Sequence, residues 1–198
     1  MKLPRSFYVR EDVVAVARDL LGKRLCTCID GRLTAGMIVE TEAYSGRNDK
    51  ACHANEGLRT DRTEVMYHAG GKAYVYLIYG MYHMMNVVTN VEGRADAVLI
   101  RAVEPLDGID LITERRGVKP GRRELSAGPG RLCLALGINR DLYGADLLGD
   151  TIWIEEHAAI AGDQIIASPR VRVDYAGEDA LRPWRFRIKG NRWLSPDP

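Results

Sequence analysis

The spacing of apolar and polar positions predicts one helix near the start of the chain and strands through most of the rest. Arg10 to Leu21 carries Val13, Val14, Val16, Ala17, Leu20 and Leu21 at helical spacing, and Gly22 closes the pattern. Lys23 to Ile29 and Arg32 to Glu42 read as two strands joined by a turn at Asp30-Gly31. The second strand continues as Val39-Glu-Thr-Glu-Ala-Tyr44 and breaks at Ser45-Gly46. Asn48 to Thr63 is polar and aperiodic, which predicts a long loop holding His53, Arg59 and Arg62. Tyr74 to Ile78 and Met84 to Thr89 are β-branched and aromatic enough to be paired strands. They turn through Tyr79-Gly80-Met81-Tyr82, where Gly80 is the one residue suited to positive φ. Ala97 to Val103 predicts a strand with Arg101 near its end, Leu106 to Arg115 a helix, and Gly117 to Glu124 a basic loop. Ser126 to Leu136 reads as a Gly-rich turn opening a helix, with Pro129 near its first turn. Thr151 to Glu155, Ile165 to Asp174 and Trp184 to Lys189 predict closing strands. The expected architecture is one α+β domain over residues 1–198, with a curved, mostly antiparallel sheet, surrounding helices and a protruding β-hairpin.

Composition narrows the class. With 198 residues, 46% hydrophobic and 28% charged, the chain is long enough to bury a core and ordinary for a globular protein. No apolar run approaches a membrane span, and the N-terminus lacks the basic-then-apolar layout of a signal peptide. Cys26, Cys28, Cys52 and Cys133 form no C-x-x-C pair, so reduced thiols and a protein that is not secreted are expected. The four histidines have no metal-ligand spacing, so a zinc site is not expected; no cofactor is expected either. A net charge of +1 decides nothing about nucleic acid, but arginine supplies 22 of the 28 basic residues. Arg170 to Arg192 holds six arginines and Lys189 against Asp174, Glu178 and Asp179, a local excess of +4. That run is either a solvated basic face or a phosphate track.

Three stretches could carry chemistry. Glu40 and Glu42 share a strand face, Tyr44 extends it, and Thr41 and Ala43 face the other way. Pattern alone favours the solvent face of an edge strand; if the face is instead buried, Arg101 from a neighbouring strand is a plausible partner. Five of the nine tyrosines lie between Tyr67 and Tyr82. Those rings either cover a sheet or, at the hairpin tip, supply an aromatic wedge for stacked bases, and the pattern by itself favours the first. The Gly128-Pro-Gly130 turn before a helix could hold a phosphate, with Arg131 beside it. The chain has no nucleophile-elbow serine, no P-loop lysine and no carboxylate cluster for a divalent metal.

The residues resemble a known family. Met37-Ile-Val-Glu-Thr-Glu-Ala-Tyr44, the His53 loop, Tyr74-Val-Tyr-Leu-Ile-Tyr-Gly-Met-Tyr82 through Asn86, Leu99-Ile-Arg-Ala-Val-Glu-Pro-Leu106, Gly128-Pro-Gly-Arg-Leu-Cys133 and Arg185-Phe-Arg-Ile-Lys-Gly190 are similar to motifs of the alkyladenine (3-methyladenine) DNA glycosylases. They occur in the family's order and span nearly the whole chain. The resemblance implies a monofunctional base-excision enzyme that flips a damaged purine out of duplex DNA and hydrolyses its N-glycosidic bond. It implies Glu42 as general base and Arg101 as its helper. Tyr44 and Tyr76 would hold the base's two faces, with His53 lining the pocket and Asn86 crowding the amino group of guanine. Tyr79 would fill the vacated stack; from the Gly-rich turn and the basic run, Arg131, Arg170 and Arg185 are expected to meet the DNA backbone. The implied partner is double-stranded DNA bearing a damaged purine, the implied state a monomer, and the implied compartment cytoplasm or nucleus. The chain departs from the family pattern at Thr63, where Asn is expected, at Ala54, where Ser is common, and at Arg131, where Lys is frequent. A non-catalytic damage-binding or minor-groove module and a nucleoside hydrolase are the alternatives.

Overall fold

The computed structural model describes residues 1–196 and is built around one long strand. Helices α1 (Arg5–Tyr8) and α2 (Val13–Asp19) lead into β1 (Arg24–Ile29) and β2 (Arg32–Tyr44). The hairpin β3 (Ala73–Ile78) and β4 (Tyr82–Thr89) precedes β5 (Asp96–Asp107). Helices α3 (Ile109–Arg116) and α4 (Pro129–Leu136) come next, then β6 (Ile152–Glu155), β7 (Ile165–Ser168) and β8 (Arg185–Ile188). These 8 strands form one antiparallel sheet ordered β3-β4-β5-β2-β1-β6, with β8 also paired to β2 and β7 to β8. The expected α+β fold is the one found.

β2 is not an edge strand. β1 pairs with its first half and β8 with Glu40, Thr41 and Glu42 on the same side, while β5 runs along the other. Its two faces have different fates. Ala43, Val98, Ile100, Val87, Met85 and Val75 pack against Val13, Val16 and Ala17 of α2 and Leu132, Cys133 and Leu136 of α4. The valines, leucines, isoleucine and methionine among them each contribute about 1.5–3 kcal/mol on burial, so this face holds the sheet in place. The opposite face is then available for polar work. Register sets a row across it, because directly paired residues of antiparallel strands point the same way: Tyr74 faces Asn86, Asn86 faces Leu99, Leu99 faces Glu42, and Glu42 faces Arg185.

Two register shifts interrupt the β2–β5 ladder. Ile38 pairs Val103, Glu40 pairs Ala102 and Thr41 pairs Ile100, so Val39 and Arg101 are each passed over. Bulges of this kind re-aim side chains. Arg101, two residues from the Leu99 that pairs Glu42, lies by alternation on the face of Glu40 and Glu42.

Several predicted boundaries move for physical reasons. α2 starts at Val13 because the Asp12 carboxylate accepts from the amides of Val14 and Ala15, at 2.9 and 3.0 Å. α3 starts at Ile109 because β5 runs on to Asp107 and Gly108 turns the chain at φ 68°. The strand expected to reach Asp174 stops at Ser168, since Pro169 has no N–H for the ladder. The chain after it leaves the sheet.

Candidate active site

The polar face of β2, β4 and β5 lines a cleft of ≈ 980 Å³, closed by the hairpin, the Gly128 turn and the segment after Pro169. Glu42 is fully buried at its wall. Its Oε2 accepts from the Tyr44 hydroxyl at 2.8 Å and from Arg101 at 3.2 Å, and its Oε1 accepts from the amide of Val171 at 2.8 Å. A carboxylate offers about four acceptor sites. Three are filled by fixed donors, so the group is aimed while keeping capacity for one more.

Arg101 is held from behind. Its Nε donates to Glu40 at 2.9 Å, and Glu40 also accepts from Arg185 at 2.8 Å and from the Ser195 amide and hydroxyl at 2.7 and 2.8 Å. Burial opposes the Arg101 charge, but Glu42 and Glu40 outweigh it and raise its pKa above the ordinary value. Two carboxylates and two guanidiniums thus balance inside the protein, where an unmatched charge would be costly. The expectation of a solvent-facing Glu40 and Glu42 is overturned: residues 40–42 are covered by β8 and the tail through Ser195.

Tyr44 and Tyr76 both line the cleft and, among the described residues, make no ring contact with each other. One face of Tyr44 is backed by the Arg170 guanidinium, 4.7 Å from its ring centroid. Burial and then the charge of Glu42 push its hydroxyl well above the usual tyrosine range, so it remains a donor. Tyr76 touches Tyr74 at 5.2 Å and the edge of His53 at 4.9 Å, with Arg62 4.5 Å over its ring. His53 is pushed down from 6.5 to about 4, by burial first and the Arg62 charge second. Its Nδ1 lies 2.9 Å from the Tyr74 hydroxyl. Asn86 is buried at the same wall, its amide donating to the Tyr74 carbonyl at 3.1 Å.

The hairpin tip is exposed and apolar. Tyr79 is 68% accessible and Met81 62%. The loop places Tyr79 at φ 53° and Gly80 at φ 67°, so two residues take the left-handed region where only Gly80 was expected to. The Met81 amide closes the Tyr79-Gly80 turn on the Ile78 carbonyl at 3.2 Å, and positive φ at both central residues makes it a primed turn, the form that suits a hairpin. The Gly128–Arg131 turn faces the hairpin across the cleft. A side chain at Gly130 would come within 3.0 Å of the Tyr82 ring. Arg131 lines the cleft, half-buried, with one bond to the Ala127 carbonyl at 3.2 Å.

Two of the arginines expected on a phosphate track are not on the surface. Arg170, 5% accessible, grips both oxygens of Asp49 at 2.7 Å and donates to the Ala43 carbonyl at 2.9 Å. Arg185, 3% accessible, belongs to the Glu40 network. Both serve as internal supports, Arg170 behind Tyr44 and Arg185 behind Glu40, and neither guanidinium is presented to a phosphate. The Val171 amide and Ser195 carry no sequence signal, since a backbone donor and a lone serine look like any other. At the two departures within the His53 loop, the Thr63 hydroxyl accepts from the Thr60 amide at 2.9 Å and donates to the Leu58 carbonyl at 3.1 Å, and Ala54 is buried against Val65 and Met66. The His53 loop is therefore internally bonded.

An acidic group aimed into an aromatic cleft beside a projecting aromatic hairpin suits an enzyme that handles flat, ring-shaped groups. Comparison with known proteins agrees. A family model of methylpurine-DNA glycosylase matches residues 6–192. A protein of Methanocella arvoryzae is 50% identical over 194 residues, covering 98% of this chain and 95% of its own. Relatives from Bacillus cereus and Alkaliphilus oremlandii are 48% and 46% identical, covering 98% of this chain and 99% of theirs. All three are named as candidate 3-methyladenine DNA glycosylases. The chain belongs to the methylpurine-DNA glycosylase family and is a DNA glycosylase.

Proposed function

We propose that the protein excises alkylated or deaminated purines such as 3-methyladenine and hypoxanthine from double-stranded DNA, by hydrolysis alone and without a lyase step. The damaged nucleotide leaves the helix, its base enters between Tyr44 and Tyr76, and Tyr79 fills the gap left in the stack. Aromatic plates accept any purine face, at about 1–3 kcal/mol per stacked base. Selection therefore depends on the lesion's easier unpairing and on Asn86, whose bond to Tyr74 keeps it from yielding space to the guanine amino group.

The observation that carries the proposal is the setting of Glu42, buried, triply bonded and facing the cleft. A water accepted at the remaining Oε1 site gives its proton to Glu42 as its oxygen bonds the sugar C1′ and the C1′–N bond breaks. The same carboxylate opposes the positive charge that develops on the sugar. A purine alkylated at ring N3 or N7 already carries a positive charge and leaves as a neutral base, whereas neutral hypoxanthine leaves as its anion and takes its proton from water. Neither needs a proton from His53, which is neutral near pH 7.

Glu42→Gln preserves the shape and removes the base. The variant is expected to bind a hypoxanthine duplex as wild type does and to release base about 10²–10⁴-fold more slowly in single turnover. Normal release would refute the assignment.

A further inference from the structure

The segment after Pro169 supplies one cation with no task inside the protein. Arg172 has φ 58°, the left-handed region that suits glycine, and the conformation is forced. On one side Arg170 is locked to Asp49, on the other Val173 is buried, and between them the Val171 amide is bonded to Glu42. The Arg172 side chain is exposed and lines the same cleft as Glu42 and Tyr44. Among the described residues its guanidinium makes no ion pair, hydrogen bond or ring contact. A glycine would satisfy the backbone better, and nothing within the fold compensates for the larger residue. A cation kept at a strained position without an internal partner points to an external anion.

Resting on the glycosylase proposal, we infer that Arg172 binds a backbone phosphate of the extruded nucleotide. The sugar of that nucleotide must lie against Glu42, whose Oε1 is 2.8 Å from the Val171 amide. The residue next to Val171 is then one side chain's reach from the phosphates flanking that sugar, and a guanidinium can bind two phosphate oxygens at once. Arg170, the other arginine of this segment, is occupied internally by Asp49, so Arg172 is the segment's cation for this role. The contact forms only once the nucleotide has left the stack, so it favours the flipped state over merely bound duplex.

The test compares wild type, Arg172→Gly and Arg172→Lys on two duplexes that are identical except at one position. One carries a tetrahydrofuran abasic analogue, which cannot be cleaved, and the other is undamaged. Losing one phosphate contact lowers the slope of log affinity against log salt by about 0.9, so the wild-type advantage over Arg172→Gly should shrink about 3.5-fold from about 50 to about 200 mM salt. The change is expected on the tetrahydrofuran duplex only, with the glycine variant melting at or above the wild-type temperature and the lysine variant keeping the slope. An unchanged slope, an equal change on undamaged duplex, or a lowered melting temperature for Arg172→Gly would overturn the assignment. Wild type that releases no base and does not prefer the damaged duplex would show instead that the glycosylase proposal has failed.

Discussion

Glu42 and His53 line one cleft in opposite electrostatic company. Glu42 is surrounded by donors and a cation, whereas His53 is partly buried beside the Arg62 charge, which keeps its ring neutral. The histidine's displacement has a consequence for stability. In the unfolded chain His53 takes up a proton near pH 6.5, but in the fold it resists until about pH 4. Between those values the unfolded state holds more protons, so stability rises with pH and is lost on acidification. One such proton corresponds to a slope approaching about 1.4 kcal/mol per pH unit. Chemical unfolding of wild type from pH 7 to pH 4 should show this loss, and His53→Gln should remove that part of it. Equal slopes for the two proteins would mean that His53 is not held neutral.

At the level of the element, the hairpin combines a strained turn with an exposed ring. Tyr79 at φ 53° is a poor choice for the turn, where asparagine is more comfortable. Tyr79→Asn should therefore leave the melting temperature unchanged or raise it, while removing the wedge. The expected loss is about 1–3 kcal/mol, roughly 5- to 150-fold in kcat/KM on duplex substrate, with little change on a single-stranded lesion. Similar losses on both substrates would rule out a stack-filling role. The hairpin itself was legible in sequence because Tyr74–Ile78 and Met84–Thr89 are consistent strands around a glycine. The positive φ at Tyr79 was not, because the connection length follows from the Ile78–Tyr82 pairing and not from composition. The burial of Glu40 and Glu42 was equally hidden. Alternation shows that two side chains share a face, but not that β8, about 145 residues later (the separation of Glu40 from Arg185), covers it.

Across the whole molecule, arginine does two kinds of work that composition cannot separate. The excess positive charge between Arg170 and Arg192 suggested a track for DNA, yet the acids that neutralise much of it lie far away in sequence, Asp49 for Arg170 and Glu40 for Arg185. Those pairings tie the C-terminal third of the chain to β2 and fix the two sides of the site, Tyr44 through Arg170 and Arg101 through Glu40. The resemblance pointed to the tyrosines, Glu42 and Arg101, which line one cleft in the fold, whereas long-range folding decides which cations remain for DNA. The two classes should separate experimentally. Arg185→Met removes one partner from a buried ion network and should destabilise the protein by about 3–5 kcal/mol. Because Arg185 is buried in the Glu40 network, the salt dependence of duplex binding by the remaining folded protein should be that of wild type. Arg131, half-buried at the cleft with one backbone bond, should behave in the opposite way. Arg131→Ala is expected to change stability by less than about 1 kcal/mol and to lower the salt slope by about 0.9. Unfolding titrations and binding across salt on both variants decide it. A lowered slope for Arg185→Met would return that guanidinium to the DNA interface, and an unchanged slope for Arg131→Ala would remove the Gly128–Arg131 turn from it.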